Sequence, residues 1–129
     1  MACVATLPIT VYRGRSFAPI FNLIDGCSGL PIDTTPYTDI EVDVLGTSGL
    51  QVAVLFSLGQ VNKLTPLQGG QVQPMFTSTN TLAFALTDPT QAAAGNFTPI
   101  VIKLTNPANP DQNPYIIVIQ NALNILDFP

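Results

Sequence analysis

Three carboxylates, Asp39, Glu41 and Asp43, recur at every second position, and Asp33 stands shortly before them, so half of the eight acidic residues fall within positions 33–43. Oxygen ligands gathered this densely are the raw material of a hard-cation site. On an extended strand, however, side chains at i, i+2 and i+4 stand about 7 Å apart along one face, too far for a single ion to bind them all. The spacing favours a solvated strand face that blunts edge-to-edge pairing; contact with a basic patch on a partner is the other reading. Arg13 and Arg15, on either side of Gly14, are the only arginines. They either pair with such an acidic stripe or sit as solvated charges at a strand end. No acid–base machinery can be assembled from the remainder: histidine is absent, so a serine or cysteine nucleophile lacks its usual activating base. Lys63 and Lys103 are isolated in sequence, no glycine pattern for a nucleotide is present, and tryptophan, the usual sugar platform, is missing. A non-enzymatic chain without cofactor, metal or small-molecule substrate is expected.

Cys3 and Cys27 are the only cysteines. With no CxxC pair and no histidine they do not make a zinc site; free thiols and a bridge formed in an oxidising medium both remain open. Asn96-Phe97-Thr98 spells a glycosylation triplet, which the following Pro99 and synthesis in a cytosol make incidental. The opening Met-Ala-Cys-Val-Ala-Thr-Leu-Pro lacks the basic flank and apolar segment of a secretion signal.

The elements that must position these residues are strands. Apolar residues alternate at period two or form short runs broken by Gly, Pro, Asn and Asp, with β-branched residues abundant. Strands are expected over 7–13, 16–25, 38–45, 50–58, 71–77, 81–86, 97–105 and 114–120. In 38–45, Ile40, Val42 and Val44 point inward and the three carboxylates outward. Pro19 places 16–25 at an edge or bulge. Gly46-Thr47-Ser48-Gly49 reads as a hairpin connection. One short helical turn is expected at 91–94, capped by Thr87 or Asp88, with Pro89 in its first turn and a stop at Gly95. The fold expected is all-β: a single β-sandwich of seven or eight antiparallel strands, spanning 1–129 as one domain.

The 129 residues are 47% apolar but only 9% charged, against about 25% in ordinary soluble domains. Neutral polar residues fill the gap, with 14 Thr, 9 Asn, 8 Gln and 5 Ser, a surface chemistry suited to packing against other protein. Four basic residues and a net charge of −4 leave no footprint for nucleic acid, and no apolar run approaches the roughly 20 residues of a membrane helix. Between Asp43 and Asp88 the only charge is Lys63, so segment 44–87 is expected to meet neighbouring subunits. The termini 1–6 and 121–129 are candidates for docking on partners; the second, with Leu123, Ile125, Leu126 and Phe128, needs cover either from its own domain or from another chain, and neighbouring subunits are expected to touch it.

Tyr12-Arg13-Gly14-Arg15-Ser16-Phe17, the strand ending Ile24-Asp25, then Gly29-Leu30-Pro31-Ile32-Asp33-Thr34-Thr35-Pro36-Tyr37-Thr38 and an Ile-x-Val-x-Val strand resemble the small immunoglobulin-like domains of tailed-bacteriophage virions, such as the N-terminal domain of baseplate upper proteins. Leu86-Thr87-Asp88-Pro89-Thr90-Gln91 and the hairpin strand ending Lys103-Leu104-Thr105-Asn106-Pro107 are similar to that family's helical turn and last strands. Arg15 stands where the family usually has aspartate, and Pro36-Tyr37 replaces its usual hydrophobic-threonine-glycine step. The resemblance implies an immunoglobulin-like sandwich in a virion, made in a bacterial cytoplasm. It would act as a tail, baseplate or fibre-attachment adaptor whose partners are other virion proteins and copies of itself. Arg13, Arg15, Asp39, Glu41 and Asp43 would then set register at the interface. A capsid decoration or head-fibre base protein is the alternative within that class, and a stand-alone carbohydrate- or cell-surface-binding module the alternative outside it.

Overall fold

Strict alternation is the strongest pattern in the sequence, and it produces the middle of the larger sheet. In the computed structural model, which describes residues 9–25, 28–48, 51–112 and 114–127, strand β7 (Thr98–Thr105) buries every second residue along its length. β3 (Asp39–Ser48) lies antiparallel beside it, with Ile40, Val42 and Val44 each no more than 2% exposed. β8 (Tyr115–Asp127) flanks β7 on the other side. β4 (Gln51–Leu58) and β1 (Ile9–Arg13) complete a five-stranded sheet of order β1-β8-β7-β3-β4. A smaller antiparallel sheet, β2-β6-β5, is built from Phe21–Asn22, Gln71–Gln73 and Asn62–Lys63. The chain is all-β, and one apolar cluster draws on both sheets: Ile102, Ile117 and Ile125 from the larger, Phe21 and Val72 from the smaller. Phe84 meets Phe76 and Phe56 edge-on at centroid distances of 5.3 and 5.8 Å. Each such ring withdrawn from water stabilises the fold by roughly 1.5–3 kcal/mol.

Several expected elements differ. β1 pairs with β8 in parallel, Val11 against Ile125, so the sheet is not wholly antiparallel. Segment 16–25 keeps its alternation, with Phe21 and Leu23 buried and their neighbours exposed. Only Phe21–Asn22 joins a ladder, flanked by single bridges at Phe17 and Ile24; Pro19 has no N–H to offer one. Segment 81–86 is not a strand. Thr77 and Asn80 form a reciprocal capping box, with each side chain accepting the other's backbone N–H at 3.1 and 2.9 Å, and this starts helix α1 (Ser78–Leu82). The expected turn near 91–94 is α2 (Pro89–Ala93), capped by Asp88, whose carboxylate accepts from Thr90 N–H at 2.8 Å. Among the described residues there are thus two short α-helices rather than one, besides 3-10 turns at Leu67–Gly69 and Pro110–Gln112. β3 and β4 continue to Ser48 and from Gln51, and the tip of that hairpin lies outside the described residues.

Helix α1 is tied to the end of β1 by the Arg13 guanidinium, which donates to the Leu82 carbonyl, and by one buried hydroxyl. Thr81 Oγ1, fully buried, accepts from Gly14 N–H at 2.9 Å and shares its own hydrogen between the carbonyls of Arg15 and Ser78, at 2.9 and 3.1 Å. Thr81→Val preserves shape but strands a donor and an acceptor. It should lower stability by about 2 kcal/mol, read as a fall in the urea midpoint without a change in slope. A shift no larger than that of an exposed control such as Ser78→Ala would show that water replaces the bond freely.

Candidate functional site

Because the inward positions of β3 and β7 are apolar, their intervening residues form the outer face of the large sheet. Glu41 lies opposite Lys103, while Asp43 lies between Val101 on β7 and Ser57 on β4. Lys103 Nζ reaches diagonally to Asp43 Oδ2 at 2.9 Å and to Glu41 Oε2 at 3.6 Å. Asp43 is only 1% exposed although it belongs to the outer face, because strands cover it on both sides. Its Oδ1 is buried without a hydrogen bond of standard geometry, although the Ser57 hydroxyl is near enough to favour the ionised form.

The two carboxyls are driven apart. Burial raises the Asp43 pKa, but the Ser57 hydroxyl, the Lys103 ammonium and the Glu41 carboxyl outweigh it and leave the group below the usual carboxylate value. Glu41 is raised, first by its hydrogen bond to Asp43, then by desolvation and the Asp43 charge. Lys103 is raised by the hydrogen bond and charge of Asp43. Asp43 therefore keeps the negative charge and Glu41 takes up the first proton. The trio is bordered by apolar residues on β8: Ile116, opposite Lys103, is 54% exposed and Val118, opposite Val101, is 41% exposed.

The expected site residues are only partly brought together. Glu41 and Asp43 meet, with Lys103 as the cation between them. Asp39 is exposed at the start of β3, opposite Thr105. Asp33 stands apart, its pKa lowered first by the Thr35 hydroxyl and then by the Thr35 backbone N–H, which it accepts at 2.9 Å. Arg13 reaches Asp127 at 3.4 Å and the Leu82 carbonyl at 3.2 Å within its own chain, so it does not meet the acidic stripe. Arg15 is exposed in the turn after β1. The tail is corrected more strongly: Leu123 and Ile125 are 1% and 0% exposed in this chain's own core, because β8 runs on to Asp127 and is covered by β1. They are not held out for a partner, whereas Leu126, opposite Tyr12, is exposed. Phe128, Cys3, Cys27 and segment 1–6 lie outside the described residues. The one charge of segment 44–87, Lys63, is turned to its own chain, donating to the carbonyls of Tyr37 and Thr34 at 2.7 and 3.2 Å.

A cleft of about 430 Å³ lies beside α2, lined by Leu45, Leu86, Phe97, Pro99, Asp88, Gln91 and Asn96 among others. Its polar groups hold the fold together. Thr87 and Thr98 share a buried 2.7 Å hydrogen bond, Thr87 Oγ1 also accepts from Ile125 N–H, and Asn96 donates to Gln91. The glycosylation triplet is thus engaged at both its asparagine and its threonine. Among the described residues no three His, Cys, Asp or Glu side chains converge as metal ligands, and no helix is long and apolar enough to cross a membrane. No protein-family model matches this chain, and no curated protein matches it either.

Proposed function

We propose that the chain is a non-enzymatic structural subunit of a tailed-bacteriophage particle, working in the tail, baseplate or fibre-attachment region by packing against copies of itself and other virion proteins. The observation that carries this reading is the outer face of the large sheet, where Ile116 and Val118 stand on hydrogen-bonded strands with one charge trio and Asp39 as the charges of β3 and β7. Rigid strands with few charges and exposed β-branched side chains suit permanent contact with protein. Strand order adds support: β8-β7-β3-β4 in one sheet and β2-β6-β5 in the other follow the G-F-C-C′ and B-E-D orders of an immunoglobulin sandwich.

The test is mass spectrometry of gradient-purified virions of the phage that encodes the chain, followed by its placement in an electron-microscopy map of the intact particle. Stoichiometric presence at a symmetric position is the expected result. Absence from particles, together with binding of free chain to glycans, would overturn the reading.

A further inference from the structure

We propose that the outer face of β8-β7-β3-β4 receives a second copy of this chain about a two-fold axis running along the strands between β3 and β7. This rests on the packing role proposed above and names the partner. The rows across the face are set by register: Ser57, Asp43, Val101, Val118 in one, and Glu41, Lys103, Ile116 in the next. The stated axis lays β3 of one copy over β7 of the other. Glu41 then faces Lys103 of the second copy, and Lys103 faces its Glu41. Asp39 faces Thr105, and Asp43, already paired within its own chain at 2.9 Å, faces Val101. No carboxylate of β3 is set against a carboxylate.

Charge selects this occupant over others. Lys103 carries three donors and Asp43 engages one closely, while Glu41 sits at a looser 3.6 Å, so both have bonding capacity left. A wholly apolar partner would bury both groups without using it, and a partner of one sign would be repelled by one of them. A copy of the same face offers an anion to the cation and a cation to the anion, and isologous pairing does so twice. The area is small. Four strands at about 4.8 Å spacing and seven residues at about 3.3 Å each span roughly 440 Å² of flat surface, so a pair buries about 900 Å², below the limit of about 1,200 Å² for a standard interface. The contact is therefore a weak one between free chains, stronger where copies are already held side by side.

Light scattering coupled to size exclusion, on the full chain up to about 100 μM, tests the proposal. The mass should rise with concentration from 13.7 kDa toward twice that value. Ile116→Glu and Val118→Glu should each hold the chain as a monomer, with circular dichroism and melting showing that it remains folded. Glu41→Lys, which sets lysine against Lys103 of the second copy, should weaken association by at least about tenfold. Leu30→Glu, at a 64% exposed site off the sheet, should leave it unchanged. A constant 13.7 kDa mass, or a dimer indifferent to these face substitutions, overturns the proposal. A monomer that is nonetheless built into particles overturns the two-fold pair and leaves the packing role standing. A face-dependent dimer absent from particles supports the pair and overturns the role.

Discussion

Gly70→Ala should cost about 4 kcal/mol, enough to leave much of the protein unfolded at growth temperature. Gly70 is buried at φ +71, where three backbone segments cross. Its carbonyl accepts from Leu23 N–H at 2.8 Å, and Leu23 O in turn accepts from Ile32 N–H at 2.9 Å. A Cβ there would stand 2.6 Å from Leu23 O and 3.0 Å from Ile32 O. Both are backbone atoms: Leu23 O is held by the second of these bonds and Ile32 O belongs to the residue that donates it, so relief requires opening the link between β2, the 31–34 segment and the turn before β6. Gly29→Ala is the control. It shares a left-handed φ of +70 but meets nothing within 4 Å, and should lose only the conformational penalty of about 1–2 kcal/mol. Urea unfolding of both variants separates steric from conformational cost, and similar losses would refute the steric argument.

Lys103→Met should cost about 3 kcal/mol near neutral pH, the low end for breaking a buried ion pair because Lys103 is itself about a third exposed. The loss comes from Asp43, left charged and buried with Oδ2 unpaired. Adding Asp43→Asn should therefore recover most of it, a non-additivity that a purely packing role for the lysine stem would not produce. The native pH profile carries two opposing signs. Asp43, with a native pKa below the usual 3.8, contributes stability that is present above that value and lost as the pH falls through its native pKa. Glu41, raised above 4.5, binds its proton more tightly when folded, so its contribution is present below 4.5 and lost as the pH rises through its native pKa. The pair thus supports the fold most between about 3.8 and 4.5. Glu41→Gln should flatten the upper limb alone, as read from urea midpoints across pH; a change in the lower limb instead would reverse the assignment of the two carboxyls.

Local pattern made β3 and β7 legible from sequence, since period-two alternation is a property of neighbours along the chain. The same holds for the Asp88 cap and Pro89 that open α2. Helix α1 was missed although its signal is local: Thr77 and Asn80 stand three apart, but Asn is an uncommon partner in a capping box, and Leu82 to Leu86 alternates like a strand. What no local pattern contains is pairing. Lys103 is isolated in sequence, and only the antiparallel register of β7 on β3 brings it beside Glu41 and Asp43. Its outward parity in the Thr98–Thr105 strand was the available hint. The tail misled for a similar reason: Leu123 and Ile125 resemble a docking motif until β8 is found paired in parallel with β1, which carries them into the core.

That parallel pair also governs when the protein can form. Within the five-stranded sheet β1 has no neighbour but β8, so among the described strands the first to leave the ribosome must wait for the last. At about 5–20 residues per second the delay is roughly 5–20 s, during which Val11 lacks its partner strand. Closure of the sheet thus follows the emergence of β8, and its rate should be that of a high-contact-order β protein, in milliseconds to seconds from that point. Where two chains are made side by side, the hazard lies in that interval, when β8 of one nascent chain is as available to the β1 of its neighbour as to its own.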